Sequence, residues 1–210
     1  MEKLSVTIIT KNEELNIKKT LESVLWADEI LILDSGSTDR TLEICRSFNC
    51  KILQTSWMGF GQTKKFAVDN AQFDWILSID ADEVVSPELK VRIQAILSEP
   101  QYNGYKINFQ SFYLDKKIKY SGWKNGYKLR LFNRKYGNFN ERILHEYVQL
   151  DSPIGIIHEP IFHFSYRTIA KHFDKMNNYS DLAAIQKYEK KSNSTIIGSI
   201  VRGILQFIKM

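Results

Sequence analysis

Four short apolar runs restrict the fold of this chain more than any other feature. They are Leu4–Thr10 (LSVTIIT), Glu29–Asp34 (EILILD), Lys51–Gln54 (KILQ) and Trp75–Asp80 (WILSID). Runs this short and this rich in β-branched residues are strands buried on both faces. Between them lie stretches with helical character: EELNIKKTLESVLW, with Leu21, Val24 and Leu25 at helical spacing, STDRTLEICRSF and GQTKKFAVDNA. Ser37 and Thr38 read as caps of the second of these. Ser86-Pro87 opens a further helix, with Ser as cap and Pro at the first helical position. Strand–helix alternation of this kind builds a parallel sheet covered on both faces. Ligands of such sheets sit outside the carboxyl ends of the strands. The first strand ends in TKNE, the second in DSGSTD and the fourth in DADE. All three polar clusters are therefore expected on one edge.

The second half changes character. NGYKINFQSFYL and KIKY read as strands joined by a turn at Asp115, YKLRLFNR alternates, and ILHEYVQL and PIFHFSY follow. This is a smaller, more antiparallel region. From Arg167 onward the chain reads as helical. No Pro/Gly/Ser-rich linker divides it. The expected organisation is one domain over 1–166, in two halves of about 1–98 and 99–166, and a helical extension over 167–210.

Carboxylates repel one another and cost free energy to desolvate, so Asp80, Asp82 and Glu83 at the end of a buried strand need a reason. A solvated acidic turn is one. A site for a hard divalent cation is the other: alternate residues at a strand end point the same way, so one carboxylate holds Mg2+ or Mn2+ while its neighbour accepts from a ribose hydroxyl. Asp34 also ends an apolar strand, where it can accept an N–H from a base ring. Gly36 beside it permits close backbone approach. A plain strand–turn–helix connection is the alternative. Gly59 and Gly61 precede the basic pair Lys64-Lys65 and read either as a phosphate approach or as the lead-in to a solvated Lys pair; the spacing is not a Walker A loop.

The combination VTIITKNEE…ADEILILDSGSTDRT…GFGQTKKFAVDNA…DWILSIDADE resembles glycosyltransferase family 2, whose members have the GT-A fold. The likeness runs from Leu4 to about Leu97 by motif and more loosely to Lys190. It is nearest to the branch that adds glucose to the lipopolysaccharide inner core, through SVLWADEI, Arg130-Leu131-Phe132, His145-Glu146 and His163-Phe164-Ser165-Tyr166. The resemblance implies an α/β GT-A fold, with a mostly parallel sheet flanked by helices, a smaller antiparallel region and C-terminal helices. It implies one catalytic domain over 1–166 with a nucleotide-binding half of about 1–98 and an acceptor half of about 99–166. It also implies that Thr10, Lys11, Asn12, Glu13, Asp34, Gly36 and Ala81 help to bind the donor nucleotide, that Asp80 meets the ribose, that Asp82 holds the metal and that Lys64 lies near the phosphates. Thr63-Lys64-Lys65 departs from the usual Gln-Lys-Asn.

Transfer with inversion needs one base to take the acceptor proton. Glu146 is the candidate, with Glu141 and Asp115 as competitors. His163 offers an imidazole to the metal, the alternative being a satisfied core histidine. Arg130 and Arg134 alternate with apolar residues and suit an anionic acceptor, or else a solvated face. A UDP-sugar donor and a lipid-linked saccharide acceptor are the implied partners. A sugar nucleotidyltransferase needs a Gly-rich, Arg-containing loop after the first strand, where this chain has TKNEE. A non-catalytic nucleotide-binding protein of the same fold is the remaining alternative.

A net charge of +5 favours anionic partners only weakly. No nucleic-acid-binding signature is visible. The N-terminal apolar run is broken by Lys11, Asn12 and Glu13, too early for a signal peptide. Two cysteines, Cys45 and Cys50, are too few for a disulfide framework. The expectation is a cytoplasmic protein, peripheral on the cytoplasmic face of the inner membrane. The tail supports the last point: Ile196, Ile197, Ile200, Val201, Ile204, Leu205 and Ile208 form one apolar stripe, preceded by Lys187, Lys190 and Lys191. Such a helix suits either an anionic membrane interface or the protein's own core.

Overall fold

The computed structural model describes residues 1–118, 126–142, 146–166, 168–189 and 196–208. The four apolar runs form parallel strands β1 (Leu4–Thr10), β2 (Glu29–Asp34), β3 (Lys51–Gln54) and β4 (Trp75–Asp80). Every residue of β1 is buried, as a central strand covered on both faces requires. The intervening helices are α1 (Ile17–Val24), α2 (Thr41–Arg46) and α3 (Phe60–Asp69). Helix α1 is shorter than its periodic sequence suggests, because Glu13 to Asn16 form a turn leading into it. Ser37 and Thr38 do not cap α2, which starts later; the Thr41 amide instead donates to the Asp39 carboxylate at 2.9 Å. Strand β5 (Glu83–Val85) follows at once, then α4 (Pro87–Ser98), where the Ser86 hydroxyl accepts from the Leu89 amide at 3.1 Å as expected of a cap.

The second half contributes β6 (Gly104–Tyr113), β7 (Lys116–Lys117), β8 (Tyr127–Asn133), β9 (Gly137–Phe139), β10 (Val148–Leu150) and β11 (Gly155–Tyr166), then helices α5 (Ile169–Glu189) and α6 (Ile196–Ile208). The antiparallel part is not a separate sheet. Among the described residues eight strands run in the order β3-β2-β1-β4-β8-β6-β11-β5, with β7 on β6, and β9 and β10 pair apart. The largest apolar cluster runs from Leu4 and Val6 in β1 to Leu131 in β8 and Ile161 in β11, and smaller ones gather around Phe132 and around Leu33.

The order carries a geometric demand. Strands β4 and β5 are separated in the sheet by β8, β6 and β11, yet in the chain only Ala81 and Asp82 lie between them. A flat sheet would put them about 19 Å apart, at about 4.8 Å per strand. The chain from Asp80 to Glu83 reaches only about 11 Å when fully extended. The ribbon β8-β6-β11-β5 must therefore curl back around the carboxyl end of β4. The Asp80–Glu83 turn lies inside that curl.

Helix α3 is docked just as tightly. Gly59 takes φ +88°, and the Gly61 amide donates to the Arg142 carbonyl at 2.9 Å. A Cβ on Gly61 would lie 2.2 Å from the Asn140 carbonyl oxygen and 2.6 Å from that of Arg142. The close approach allowed by this glycine is to the chain's own 140–142 segment, which corrects the phosphate reading of the Gly59–Gly61 pair. Gly61→Ala is expected to destabilise the protein by about 3 kcal/mol, the upper range for overpacking. Urea unfolding measures it, and an unchanged midpoint would contradict the packing described.

Candidate active site

Register places three of the predicted residues along one edge. Thr10 pairs with Asp34 across β1 and β2, and Ile9 pairs with Asp80 across β1 and β4. The loops that follow are stitched together. The Asn12 amide donates to the Ser37 hydroxyl at 2.9 Å, and its side-chain oxygen accepts from the Thr38 amide at 2.7 Å. Asn12 takes φ +56°, tolerated by asparagine. The Glu13 amide donates to the Thr41 hydroxyl at 2.8 Å. Asp34 is fully buried, and its carboxylate accepts from the amides of Gly36 and Ser37 at 3.0 Å. It shapes its own turn, and Gly36 takes φ +90° there. Lys11 is exposed beside this loop pair.

The centre of the site is a chain of alternating charge. Lys64, on α3, is 1% exposed. Its ammonium donates to Glu146 Oε1 at 2.7 Å and lies 2.9 Å from Asp80 Oδ1. The first contact has hydrogen-bond alignment; the second is an ion pair without it. Asp80 is paired again through Oδ2 with Arg130 at 3.1 Å, and Arg130 with Glu83 at 3.1 Å. Glu83 Oε2 in turn accepts the Asp80 amide at 2.9 Å. Burial alone would raise the Asp80 pKa, but the charges of Lys64 and Arg130 outweigh it and hold the carboxyl well below its ordinary range. Burial likewise opposes the Arg130 charge, and Glu83 and Asp80 more than restore it.

The turn itself is pinned by its backbone. The Ala81 carbonyl accepts from the Thr20 hydroxyl at 2.7 Å and the Asp82 carbonyl from the Phe164 amide at 2.9 Å. Asp82 thereby faces β11, where His163 Nε2 lies 3.4 Å from its Oδ2. Ligand atoms of Asp82, Glu83 and His163 all lie within 4.8 Å of one another, so the residues fit a small divalent cation. Both oxygens of Glu83 are already engaged by Arg130 and the Asp80 amide, so within this group the facing Asp82 and His163 are the first candidates to hold it.

Two expectations are corrected. Arg130 is 4% exposed and both its partners are internal carboxylates, so it is no surface group for an anionic acceptor. Arg134 donates through Nη1 to the carbonyls of Val68 and Ala71, at 3.0 and 2.7 Å, closing the carboxyl end of α3. Neither position is free to read a ligand. The base candidates also separate. Glu141 pairs with Lys65 on the outside, at 2.7 Å, and Asp115 sits in the β6–β7 turn with φ +61°. Glu146 alone of the three lies against the Asp80 cluster. His145, its neighbour in sequence, lies outside the described residues. Glu83 and Thr20 went unassigned in the sequence. The last letter of DADE was a signal for Glu83; nothing in the sequence marks Thr20.

A parallel sheet with carboxylates at its carboxyl edge, continued by a curled mixed ribbon, is the GT-A architecture of glycosyltransferases. TarS of S. aureus, residues 1–349, has the same fold, with a TM-score of 0.58 at 19% identity over 78% of this chain and 60% of that one. The same protein in complex with UDP gives a TM-score of 0.59 at 18% identity, over 82% of this chain and 62% of that one. This chain therefore spans about 60% of the TarS chains it matches. The Glycosyl transferase family 2 pattern matches residues 5–154, and the chain belongs to that family. It is 32% identical to an uncharacterized glycosyltransferase of Rickettsia typhi, over 92% of this chain and 72% of the relative. It is 26% identical to the lipopolysaccharide core biosynthesis glycosyltransferase LpsC of Rhizobium meliloti, over 99% of this chain and 80% of that one.

The site has a pH signature. Burial pulls the His163 pKa down, but the Asp82 carboxylate, its hydrogen bond and Glu83 together raise it above the ordinary 6.5, against a small opposing push from Lys128. A raised folded pKa stabilises the fold fully below the unfolded value and loses that contribution as pH rises through the folded value. In metal-free protein the urea midpoint is therefore expected to fall as pH rises above about 6.5. His163→Gln should flatten that slope. A slope unchanged in the variant would place the titrating group elsewhere.

Proposed function

We propose that this glycosyltransferase is inverting and metal-dependent, and moves glucose from a UDP-sugar to a lipopolysaccharide core or another lipid-linked glycan. The observation that carries the reading is the convergence of Lys64, Asp80, Asp82 and Glu146 at one sheet edge. Thr10, Lys11, Asn12, Glu13, Asp34 and Gly36 line the edge where the nucleoside lies in this reading, and Asp80 with Ala81 meets its ribose. Asp82, with His163, holds Mg2+ or Mn2+. Such a cation, when bound, offsets the charge that gathers on the departing diphosphate. The likeness to LpsC supports the acceptor class, and the UDP complex of TarS supports the donor class.

Glu146 is the base. The Lys64 ammonium fixes Oε1, and among the described residues no partner engages Oε2. In the reaction the acceptor hydroxyl gives its proton to Glu146, its oxygen bonds to the anomeric carbon, and the bond from that carbon to the diphosphate oxygen breaks. The sugar is inverted because attack and departure are on opposite faces. Lys64 supplies positive charge beside the Asp80 carboxylate where the leaving group lies, the kind of fixed electrostatic stabilisation that dominates such reactions.

A panel of nucleotide sugars assayed with and without EDTA tests the donor and the metal together. Asp82→Asn is expected to abolish EDTA-sensitive transfer, because a neutral amide is a poor ligand for a hard cation. Glu146→Gln should lower kcat by about two to four orders of magnitude with donor affinity little changed. A Glu146→Gln defect confined to KM would move the base elsewhere.

Among the described residues no helix is long and apolar enough to cross a membrane. Ile200, Val201, Ile204 and Leu205 on α6 are each about half exposed, and this row supports a peripheral seat on an anionic membrane face. The full chain is expected to sediment with anionic vesicles and to be released by salt. Deleting 194–210 should abolish this while leaving the melting temperature unchanged. A deletion that unfolds the protein would assign the row to its core.

A further inference from the structure

We propose that Arg130 is a positioning residue that holds the Asp80–Glu83 turn in the shape its cation requires. The inference rests on the metal reading above and deepens it. Arg130 is reached by an irregularity in the sheet. Tyr105 on β6 pairs with Leu131 on β8, but the next residue, Lys106, pairs with Leu129. Arg130 is thus the extra residue of a β-bulge, with no partner of its own on β6. A bulge re-aims the side chain it carries. Here the guanidinium passes over the Phe109 ring, at 5.4 Å from its centroid, and enters the curl.

There a single nitrogen, Nη2, meets Asp80 Oδ2 and Glu83 Oε1, each at 3.1 Å. These are the two ends of the four-residue turn. Glu83 closes the loop on itself by accepting the Asp80 amide. Asp82 lies between the two ends and faces His163, so its position follows the shape of the turn. Without the guanidinium, Asp80 and Glu83 would face each other as like charges in a water-poor site, and the turn would open to separate them. Arg130 touches neither the cation nor the sugar in this scheme. It acts on them through the carboxylates it ties, as partners of metal ligands commonly do.

The test is calorimetric titration of Mn2+ into the full chain saturated with UDP. Arg130→Lys keeps the charge but ends in a compact ammonium on a different stem, so the nitrogen that meets both carboxylates is displaced. It is expected to weaken Mn2+ binding by about 10- to 100-fold. Ile93→Val, a core change on α4 away from the site, controls for loosening of the fold and should lower the melting temperature without altering Mn2+ affinity. Glu83→Gln should weaken Mn2+ as Arg130→Lys does, and the double variant should be no worse than either single one, because both remove the same closure. Wild-type Mn2+ affinity in Arg130→Lys, or an equal loss in Ile93→Val, overturns the proposal. Additive losses overturn it too, since Glu83 would then act independently. Should Arg130→Lys not fold, Glu83→Gln decides alone, and wild-type Mn2+ affinity there overturns the proposal. A wild-type chain that binds no Mn2+ overturns the metal reading and this one with it. Binding lost in Asp82→Asn but intact in Arg130→Lys keeps the metal and removes Arg130.

Discussion

A link of two residues governs this molecule. Ala81 and Asp82 join strands that lie at the centre and at the far edge of one sheet. The reach of an extended chain is shorter than the width of the three strands between them, so the ribbon cannot lie flat. Its curl brings Arg130 from β8, Phe109 from β6 and His163 from β11 around the same four residues. The backbone of the turn is then fastened from two sides, by Thr20 of α1 and by the Phe164 amide of β11. Sheet topology and site geometry are here one constraint.

Inside the curl, charge has to be arranged with care. Glu83, Arg130, Asp80, Lys64 and Glu146 form an alternating series in which every cation touches two carboxylates. Such a series adds little net stability, because desolvating each ion offsets most of its attraction. What it supplies is fixed geometry: removal of Arg130 leaves Glu83, and removal of Lys64 leaves Glu146, without its ion-pair partner. That is the condition under which oriented charges stabilise a transition state without having to reorganise. Lys64 is fully buried at the junction of the carboxyl edge of the parallel strands and the segment carrying Glu146. Gly61 makes the junction possible by letting α3 approach the 140–142 backbone.

The C-terminal helices stand outside this logic. Phe173 and Met176 on α5 and Ile204 and Leu205 on α6 keep about half their surface in solvent. Tyr113, whose hydroxyl lies 3.2 Å from His172 Nδ1, is a point where α5 touches the sheet. The physics that buries β1 completely leaves these apolar rows uncovered.

Short apolar runs ending in TKNE, DSGSTD and DADE were enough to determine the parallel half: a buried strand has few sequences available, and polar residues at its end mark the edge where ligands lie. Ser86-Pro87 was legible for the same reason, since capping is a local interaction. Arg130 and Arg134 were not. Alternation along a strand assigns them to a solvated face, and the bulge that redirects Arg130 and the helix end that engages Arg134 exist only once β8 is paired with its neighbours. The same holds for Gly61, whose small size serves a contact about eighty residues away in sequence. Local interactions encode strands, caps and turns in the sequence itself. Which charges end up buried together depends on how strands distant in sequence are brought side by side, and only the tertiary structure decides that.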